Sequence, residues 1–132
     1  MSVFIDTSAF MALHSTTDIY NKSAEQRWMK LLNTGVECVT SNYIVLETST
    51  LLQKRIGLDA VRVLHQEMLP AVTVHWVDDQ IQRTALAVLF VSGRRALSLV
   101  DSTSFEVMRE LGIHEVFTFD KHFKEFGFTI FS

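Results

Sequence analysis

The feature that most constrains the fold of this chain is an alternation between short apolar runs and longer segments with helical periodicity. Short apolar runs of this kind are typical of buried strands, and the longer segments between them are typical of helices. Strands that alternate with helices favour βα units and a parallel sheet. We therefore predict an α/β fold of three layers, α/β/α, with a central parallel sheet of about five strands.

The individual elements can be placed within a few residues. The predicted strands are Val3–Ile5, Cys38–Thr40, Val72–Trp76, Glu115–Phe119 and Phe128–Phe131. The predicted helices are about Ala9–His14, Lys22–Asn33, Asn42–Ile56, Leu58–Leu69, a helix capped by Asp78 or Asp79 that runs to about Val91, and Thr103–Leu111. Thr103 and Glu106 have the spacing of a capping box, which predicts that the last helix begins there and leaves Asp101 without a capping role.

Length and composition limit the organisation of the chain. Its 132 residues are 48% apolar and 20% charged, which is typical of a globular protein and excludes a disordered tail. This length corresponds to one domain, so we expect a single domain over residues 1–132. The formal net charge is −3, which does not favour binding of nucleic acid by bulk electrostatics. A local basic patch or a bound metal ion could still supply positive charge.

Cellular location is inferred from three further features. Cys38 is the only cysteine, so an internal disulfide is excluded and a reducing compartment is favoured. No run of about 18 apolar residues is available to span a membrane. The first ten residues lack the basic segment and apolar run of a signal peptide. We therefore expect a cytoplasmic protein that does not act at a membrane.

Acidic residues stand at two positions that a parallel sheet would bring to one edge, and a third acid follows an apolar run. Asp6 and Asp120 each follow a predicted strand, and Asp101 follows an apolar run. Ligands of open α/β sheets bind beyond the carboxyl ends of the strands. Each aspartate, taken singly, is better explained as a helix N-cap.

Glu47 is a fourth acidic candidate. In the predicted helix Asn42–Ile56 its neighbours one turn away include Tyr43, Ile44 and Leu51, so it lies along a mostly apolar stripe. An isolated buried carboxylate is costly. The alternative is that Glu47 lies at the edge of the stripe and reaches solvent.

Convergence of these four acids would predict a metal site. Like charges in one pocket raise each other's pKa values or require a cation, and oxygen ligands suit Mg²⁺ or Mn²⁺. A carboxylate-held cation with open water positions is suited to phosphodiester hydrolysis. Thr7 and Ser8 near Asp6, and Ser102 and Thr103 near Asp101, could orient these acids or hold water.

Four strings in fixed order resemble a known family. FIDTSAF, YIVLETSTLL, LSLVDSTSFEVM and FTFDKHF resemble the motifs of the PIN-domain nucleases, and most of all the stand-alone prokaryotic ribonucleases of the VapC toxin type. The four acids are 41, 54 and 19 residues apart, which fits that family, and the resemblance covers essentially the whole chain.

The resemblance implies a particular activity and particular partners. It implies a Mg²⁺- or Mn²⁺-dependent endoribonuclease in which Asp6, Glu47, Asp101 and Asp120 are the catalytic and metal-binding residues. Products of the family carry 5′-phosphate and 3′-hydroxyl ends. A toxin of this type would be held inactive by an antitoxin protein, and a homodimer is expected.

Several other residues are candidates for contacts with RNA. Arg94 and Arg95 precede the third acid, and Lys121, His122 and Lys124 follow the fourth, so they could contact phosphates. The alternative for each is a solvated surface residue, and for His122 a partly packed surface position is favoured. Trp28 and Phe90 are candidates for an exposed dimer face.

Two other classes of protein remain open at this point. One is a non-catalytic PIN-like module that binds RNA or protein, which the low basicity of the chain favours. The other is a phosphoacceptor receiver domain, which also places aspartates at strand ends around Mg²⁺. A receiver domain expects paired acids after the first strand, whereas here Asp6 is followed by Thr7 and Ser8.

Overall fold

The chain folds into a five-stranded sheet with flanking helices. The structure, a computed structural model, describes all of residues 1–132. The strands are β1 (Ser2–Ile5), β2 (Glu37–Ser41), β3 (Thr73–His75), β4 (Glu115–Phe117) and β5 (Thr129–Ile130). The helices are α1 (Thr7–His14), α2 (Asn21–Thr34), α3 (Asn42–Arg55), α4 (Leu58–Val63), α5 (Asp79–Ser92), α6 (Leu99–Leu111) and α7 (His122–Glu125). The predicted α/β/α architecture is confirmed. None of the helices combines the length and apolarity needed to cross a membrane.

The order of the strands creates a reversal at the centre of the sheet. All neighbouring strands are parallel, in the order β3-β2-β1-β4-β5. The chain adds β2 and β3 on one side of β1 and then returns to add β4 and β5 on the other side. Ile5 is paired with Phe117, so the residues that follow β1 and β4 emerge side by side. This reversal is the usual position of a ligand site in open α/β sheets.

The hydrophobic core positions the two segments, after β1 and after β4, that meet at this edge of the sheet. Val3, Phe4 and Ile5 of β1 are at most 1% exposed, as expected for a central strand covered on both faces. Around α6, the ring of Phe105 lies 5.0, 4.6 and 5.5 Å from the rings of Phe123, Phe126 and Phe128. These aromatic contacts fix α7 and the segment after β4 against α6.

The start of α6 differs from the prediction. The helix begins at Leu99 rather than Thr103, and Ser98 is its N-cap. The capping box is formed by Ser98 and Asp101, so the prediction of a Thr103–Glu106 box was wrong. Thr103 is buried inside the helix, and Glu106 instead forms an ion pair with Arg109. The apolar run before Asp101 therefore belongs to the first turn of the helix.

Other boundaries also differ. The helix predicted for Leu58–Leu69 is α-helical only to Val63 and continues as a π-helical turn, Leu64–Met68, and a 3₁₀ turn, Leu69–Ala71. Strand β4 ends at Phe117 rather than Phe119. Beyond Phe117 the backbone no longer pairs with β1. The N–H of Phe119 instead donates to the Ser8 side chain, to Oγ at 2.9 Å.

Candidate active site

A cleft of about 790 Å³ opens at the carboxyl ends of β1 and β4. Asp6, Glu47, Asp101 and Asp120, the four acids singled out from the sequence, all line this cleft. The other lining residues are Thr7, Ser8, Met11, Asp18, Tyr20, Leu51, Arg55, Ser98, Phe119 and Lys121. Five carboxyl groups and only two cationic side chains therefore surround the space.

Asp6 is held at the floor of the cleft by a network of hydrogen bonds. Asp6 is 3% exposed. Its Oδ2 accepts hydrogen bonds from Ser8 Oγ and Thr118 Oγ1, each at 2.8 Å, and from the Ser8 N–H at 3.3 Å. Ser8 Oγ and Thr118 Oγ1 are themselves 3.0 Å apart. All these contacts involve Oδ2, so Oδ1 has no hydrogen-bond partner within the protein. One carboxylate oxygen is thus fixed and the other is available to a ligand.

Burial makes the charged form of Asp6 unfavourable in the protein alone. Desolvation raises the pKa of Asp6 from 3.8 to about 6, and the negative charge of Asp101 adds to this increase. The hydrogen bonds from Ser8 and Thr118 act in the opposite direction but do not offset the effect of burial. A cation in the cleft would remove the cost of the buried charge.

Asp101 has both a structural role and a position in the cleft. From the third position of α6, its Oδ2 accepts from the Ser98 N–H at 3.2 Å, while its own N–H donates to Ser98 Oγ at 3.0 Å. Its side chain is only 13% exposed. Burial is the main cause of the raised pKa of Asp101, and the neighbouring charge of Asp120 contributes. The expectation that Asp101 has no capping role was wrong, but that role leaves its second carboxylate oxygen unused.

Asp120 and His122 lie beside Asp101. Oδ1 of Asp120 accepts from the His122 N–H at 2.9 Å, which closes a tight turn at the start of α7. Ligand atoms of Asp101, Asp120 and His122 all lie within 4.8 Å of one another. His122 is 8% exposed, so the prediction of a partly packed surface histidine was wrong.

Glu47 faces the cleft from α3 and is half-buried. It makes no hydrogen bond or ion pair with another residue, unlike the three aspartates. Asp6 and Glu47 also stand outside the tightest group of ligand atoms, which Asp101, Asp120 and His122 form. The structure thus brings the four acids to one cleft but places them at different depths and with different degrees of constraint.

Several residues predicted for this site lie elsewhere. Ser102 is fully buried and donates to the carbonyl oxygen of Ala85 at 2.7 Å, so it joins α6 to α5 rather than orienting Asp101. Thr103 is also fully buried and does not line the cleft. Of the basic residues expected to contact RNA, only Lys121 lines the cleft. Arg94, Arg95 and Lys124 do not, and Arg94 forms an ion pair with Glu125 at 2.6 Å.

Other residues of the site were missed by the sequence analysis. Thr118 contacts Asp6 across 112 positions of the chain, and Tyr20 and Arg55 form part of the cleft wall. Thr118 stands two residues before Asp120 in the motif FTFDKHF, and that position was the only available signal. Nothing local in the sequence pointed to Tyr20 or Arg55.

Comparison with known proteins identifies the family. The model of the PIN domain family matches residues 3–129, so the chain belongs to the PIN domain family of nucleases. It is similar to the 23S rRNA-specific endonuclease VapC20 of Mycobacterium tuberculosis, with 34% identity over 127 residues that cover 96% of this chain and 95% of that protein. The resemblance drawn from the sequence motifs is confirmed.

Two solved structures have the same fold. The crystal structure of Mycobacterium tuberculosis VapC20, described as a sarcin–ricin loop cleaving toxin, matches with a TM-score of 0.87 at 33% identity and covers 97% of both chains. The structure of FitAcB from Neisseria gonorrhoeae matches with a TM-score of 0.69 at 14% identity, covering 98% of this chain and 96% of that one. The second similarity shows the fold alone.

The residues of the cleft fit the metal dependence of PIN nucleases. Oδ1 of Asp6 has no partner, and the carboxyl groups of Asp101 and Asp120 are close enough to share one ligand. Carboxylate oxygens are the ligands that small divalent cations prefer. Carboxyl groups also outnumber cationic side chains in the cleft, so a bound cation would reduce the repulsion between the carboxylates.

Proposed function

We propose that this chain is a Mg²⁺- or Mn²⁺-dependent endoribonuclease whose metal-binding acids are Asp6, Glu47, Asp101 and Asp120. The observation that carries this proposal is their convergence at the reversal point of the sheet, with Asp6 buried and one of its oxygens unused. A divalent cation, when bound, activates water for attack on a phosphodiester and stabilises the negative charge that develops on the phosphate oxygens.

The surrounding residues hold the aspartates in fixed orientations. Ser8 and Thr118 fix Asp6, and Ser98 fixes Asp101. Asp120 is fixed by the N–H of His122. Carboxylates that are already oriented need little reorganisation when substrate and cation arrive, which is the main advantage of a preorganised electrostatic site.

Glu47 differs from the aspartates because no neighbour fixes its carboxylate. It faces the same cleft from a different element, α3. This position suits a group that orients the attacking water and accepts its proton. In this proposal the three aspartates bind the cation directly, and Glu47 contributes to the metal site through the water that it orients.

The preferred substrate follows from the similarity to VapC20. The proposed substrate is RNA, and the sarcin–ricin loop of 23S rRNA is the first candidate because a relative with 34% identity over nearly the whole chain is a 23S rRNA-specific endonuclease. In this proposal the chain is the toxin of a toxin–antitoxin pair, and an antitoxin would block the acidic cleft with a basic side chain.

The test of this function is cleavage of purified rRNA and of a sarcin–ricin hairpin by the purified protein in Mg²⁺, in Mn²⁺ and in EDTA. We expect cleavage in either cation, none in EDTA, and products with 5′-phosphate and 3′-hydroxyl ends. A non-catalytic RNA-binding module is the alternative. Binding of the hairpin without cleavage in any condition would favour that module and contradict the nuclease.

Arg55 and Lys121 are the only cationic side chains that line the cleft, and we propose that they contact RNA phosphates. Replacing Arg55 with Gln should weaken RNA binding by about 3–10-fold at 0.1 M salt and reduce the slope of log K against log salt by about 0.7. Binding is measured by fluorescence anisotropy in a non-cleaving Asp6→Asn background.

Arg95→Gln is the matched control, because Arg95 is exposed but does not line the cleft. It should change neither the affinity nor the salt slope. An equal loss for both variants would contradict a specific role of the cleft cations.

An aromatic stack forms another part of the cleft wall. Tyr20 lies parallel to Phe119, with ring centroids 4.5 Å apart and planes 12° apart, and the Arg27 guanidinium lies 4.9 Å from the Phe119 ring. Tyr20 is 45% exposed, so part of its ring is open to solvent. Unpaired nucleobases stack on such rings.

Tyr20→Ala is therefore expected to weaken binding of single-stranded RNA by about tenfold, since stacking of one base contributes roughly 1–3 kcal/mol. Tyr20→Phe should keep the affinity because it keeps the ring. Equal affinities of the Ala and Phe variants of Tyr20 would contradict stacking.

A homodimer is also proposed. Leu46, Val74 and Trp76 line an apolar groove of about 550 Å³, and Leu46 and Trp76 are 67% and 73% exposed. Phe90, named from the sequence as a candidate for a dimer face, is 75% exposed, whereas Trp28 packs partly against the core. Exposed apolar surface of this kind supports burial against a second copy of the chain.

A further inference from the structure

The ring of His122 is a buried polar group without a hydrogen-bond partner at the edge of the acidic cluster. Its Nδ1 is fully buried and makes no hydrogen bond. The same atom lies 2.8 Å from Oδ1 of Asp120 and 3.9 Å from Oδ2 of Asp101. The contact with Asp120 is short, but the oxygen does not lie in a hydrogen-bonding direction from the ring.

Local structure holds the ring in this position. His122 is the first residue of α7, and its N–H donates to Oδ1 of Asp120. The next residue, Phe123, is fully buried and contacts Phe105 of α6 edge to face, at 5.0 Å between ring centroids. The ring of His122 is therefore directed at the cluster by packing of α7 on α6 and not by a bond of its own.

A buried nitrogen that makes no hydrogen bond is unfavourable, because burial has removed its hydrogen bonds with water and nothing in the protein replaces them. The cost disappears if a ligand of the protein completes the contact. Two atoms that bind side by side to a small divalent cation at about 2.1 Å lie about 3 Å apart. The 2.8 Å separation between Nδ1 of His122 and Oδ1 of Asp120 matches that spacing.

We propose that His122 is a nitrogen ligand of the divalent cation, and that it gives this site a preference for Mn²⁺ or Co²⁺ over Mg²⁺. Imidazole binds later first-row transition metals more strongly than it binds Mg²⁺, which prefers oxygen ligands and keeps several waters. The inference rests on the proposed metal site and adds a ligand, and a choice of metal, to the four carboxylates.

The test is pulsed electron paramagnetic resonance of Mn²⁺ bound to the whole 132-residue chain. Wild-type protein with natural ¹⁴N and protein with ¹⁵N-labelled histidine are compared. We expect a nitrogen coupling that changes on histidine labelling and is lost in His122→Asn. His114→Asn is the control, because His114 is exposed and should leave the coupling unchanged.

Metal affinity is the second readout. His122→Asn should lower the affinity for Mn²⁺ on the order of tenfold and that for Mg²⁺ by much less, as measured by titration calorimetry. Mn²⁺ that binds without a histidine coupling in wild type would overturn the role of His122 and leave the proposed nuclease intact. Failure of the wild type to bind Mn²⁺ at all would overturn the metal site and this inference with it. The labelled wild type decides the question even if the variant does not fold.

Discussion

Asp6→Asn is expected to reduce RNA cleavage by at least about 10²–10³-fold and, at the same time, to stabilise the cation-free protein at pH 8. The loss of activity follows because Asp6 is the most buried of the four acids, lines the cleft and has an Oδ1 atom without a hydrogen-bond partner. The gain in stability follows because the variant removes a negative charge from a buried position. A folded Asp6→Asn protein with full activity would contradict the assignment.

The sign of the stability change follows from the pKa. Asp6 has a pKa of about 6 in the folded protein against 3.8 for the ordinary carboxyl group, so the folded state binds this proton more tightly than the unfolded state. The free energy of unfolding therefore falls as the pH rises from about 4 to about 6, and the loss is complete above pH 6. A shift of this size corresponds to about 3 kcal/mol.

Asn keeps an oxygen that can accept from Ser8 or Thr118, but it cannot replace every hydrogen bond that the carboxylate accepts. We therefore expect Asp6→Asn to recover about 1–2 kcal/mol at pH 8 and less at pH 5, where much of the wild-type Asp6 is already protonated. Urea unfolding in EDTA at both pH values measures this difference. Asp59→Asn is the control: its side chain is 96% exposed and forms only a surface ion pair with Arg62, so stability should change by no more than about 0.5 kcal/mol at either pH.

Addition of Mn²⁺ should raise the melting temperature of the wild-type protein by about 10 °C at pH 8. A ligand at 100 times its Kd that binds only the folded state contributes about 2.7 kcal/mol, and one kcal/mol shifts the Tm of a domain of this size by about 4 °C. The shift should be smaller at pH 5, because protons compete with the cation for Asp6, whose pKa is about 6.

Thermal melts with Mn²⁺ and with EDTA, at matched ionic strength and at both pH values, measure this effect. Asp6→Asn should lose more than half of the shift, whereas Asp59→Asn should keep all of it. A shift at pH 5 as large as that at pH 8 would show that the cation does not bind through Asp6.

The positions of Asp6 and Asp120 illustrate what the sequence alone could predict. Each follows a short apolar run, and parallel strands bring their carboxyl ends to one edge of a sheet, so their proximity follows from the fold class. Glu47 and Asp101 come from helices α3 and α6, whose approach to that edge depends on tertiary packing. For these two residues only the resemblance to the PIN family indicated convergence.

The errors in the predicted start of α6 and in the predicted RNA contacts also arise because tertiary packing decides these features. The start of α6 was misplaced because both Ser98–Asp101 and Thr103–Glu106 have capping-box spacing, and packing of the helix decides between them. Basic residues near Asp101 and Asp120 in sequence were taken as candidates for RNA contacts. Of these, only Lys121 lines the cleft, and the second cationic side chain there is Arg55 from the last turn of α3. Closeness along the chain therefore does not predict closeness across elements.

The presence of a cation among the four acids is the central claim, and crystals soaked in Mn²⁺ test it most directly. An anomalous difference map locates manganese independently of the protein model. We predict a peak in the cleft within coordination distance of the carboxylates of Asp6, Asp101 and Asp120. A protein that cleaves RNA in Mn²⁺ but shows no manganese at these residues, or shows it only elsewhere, would contradict this account.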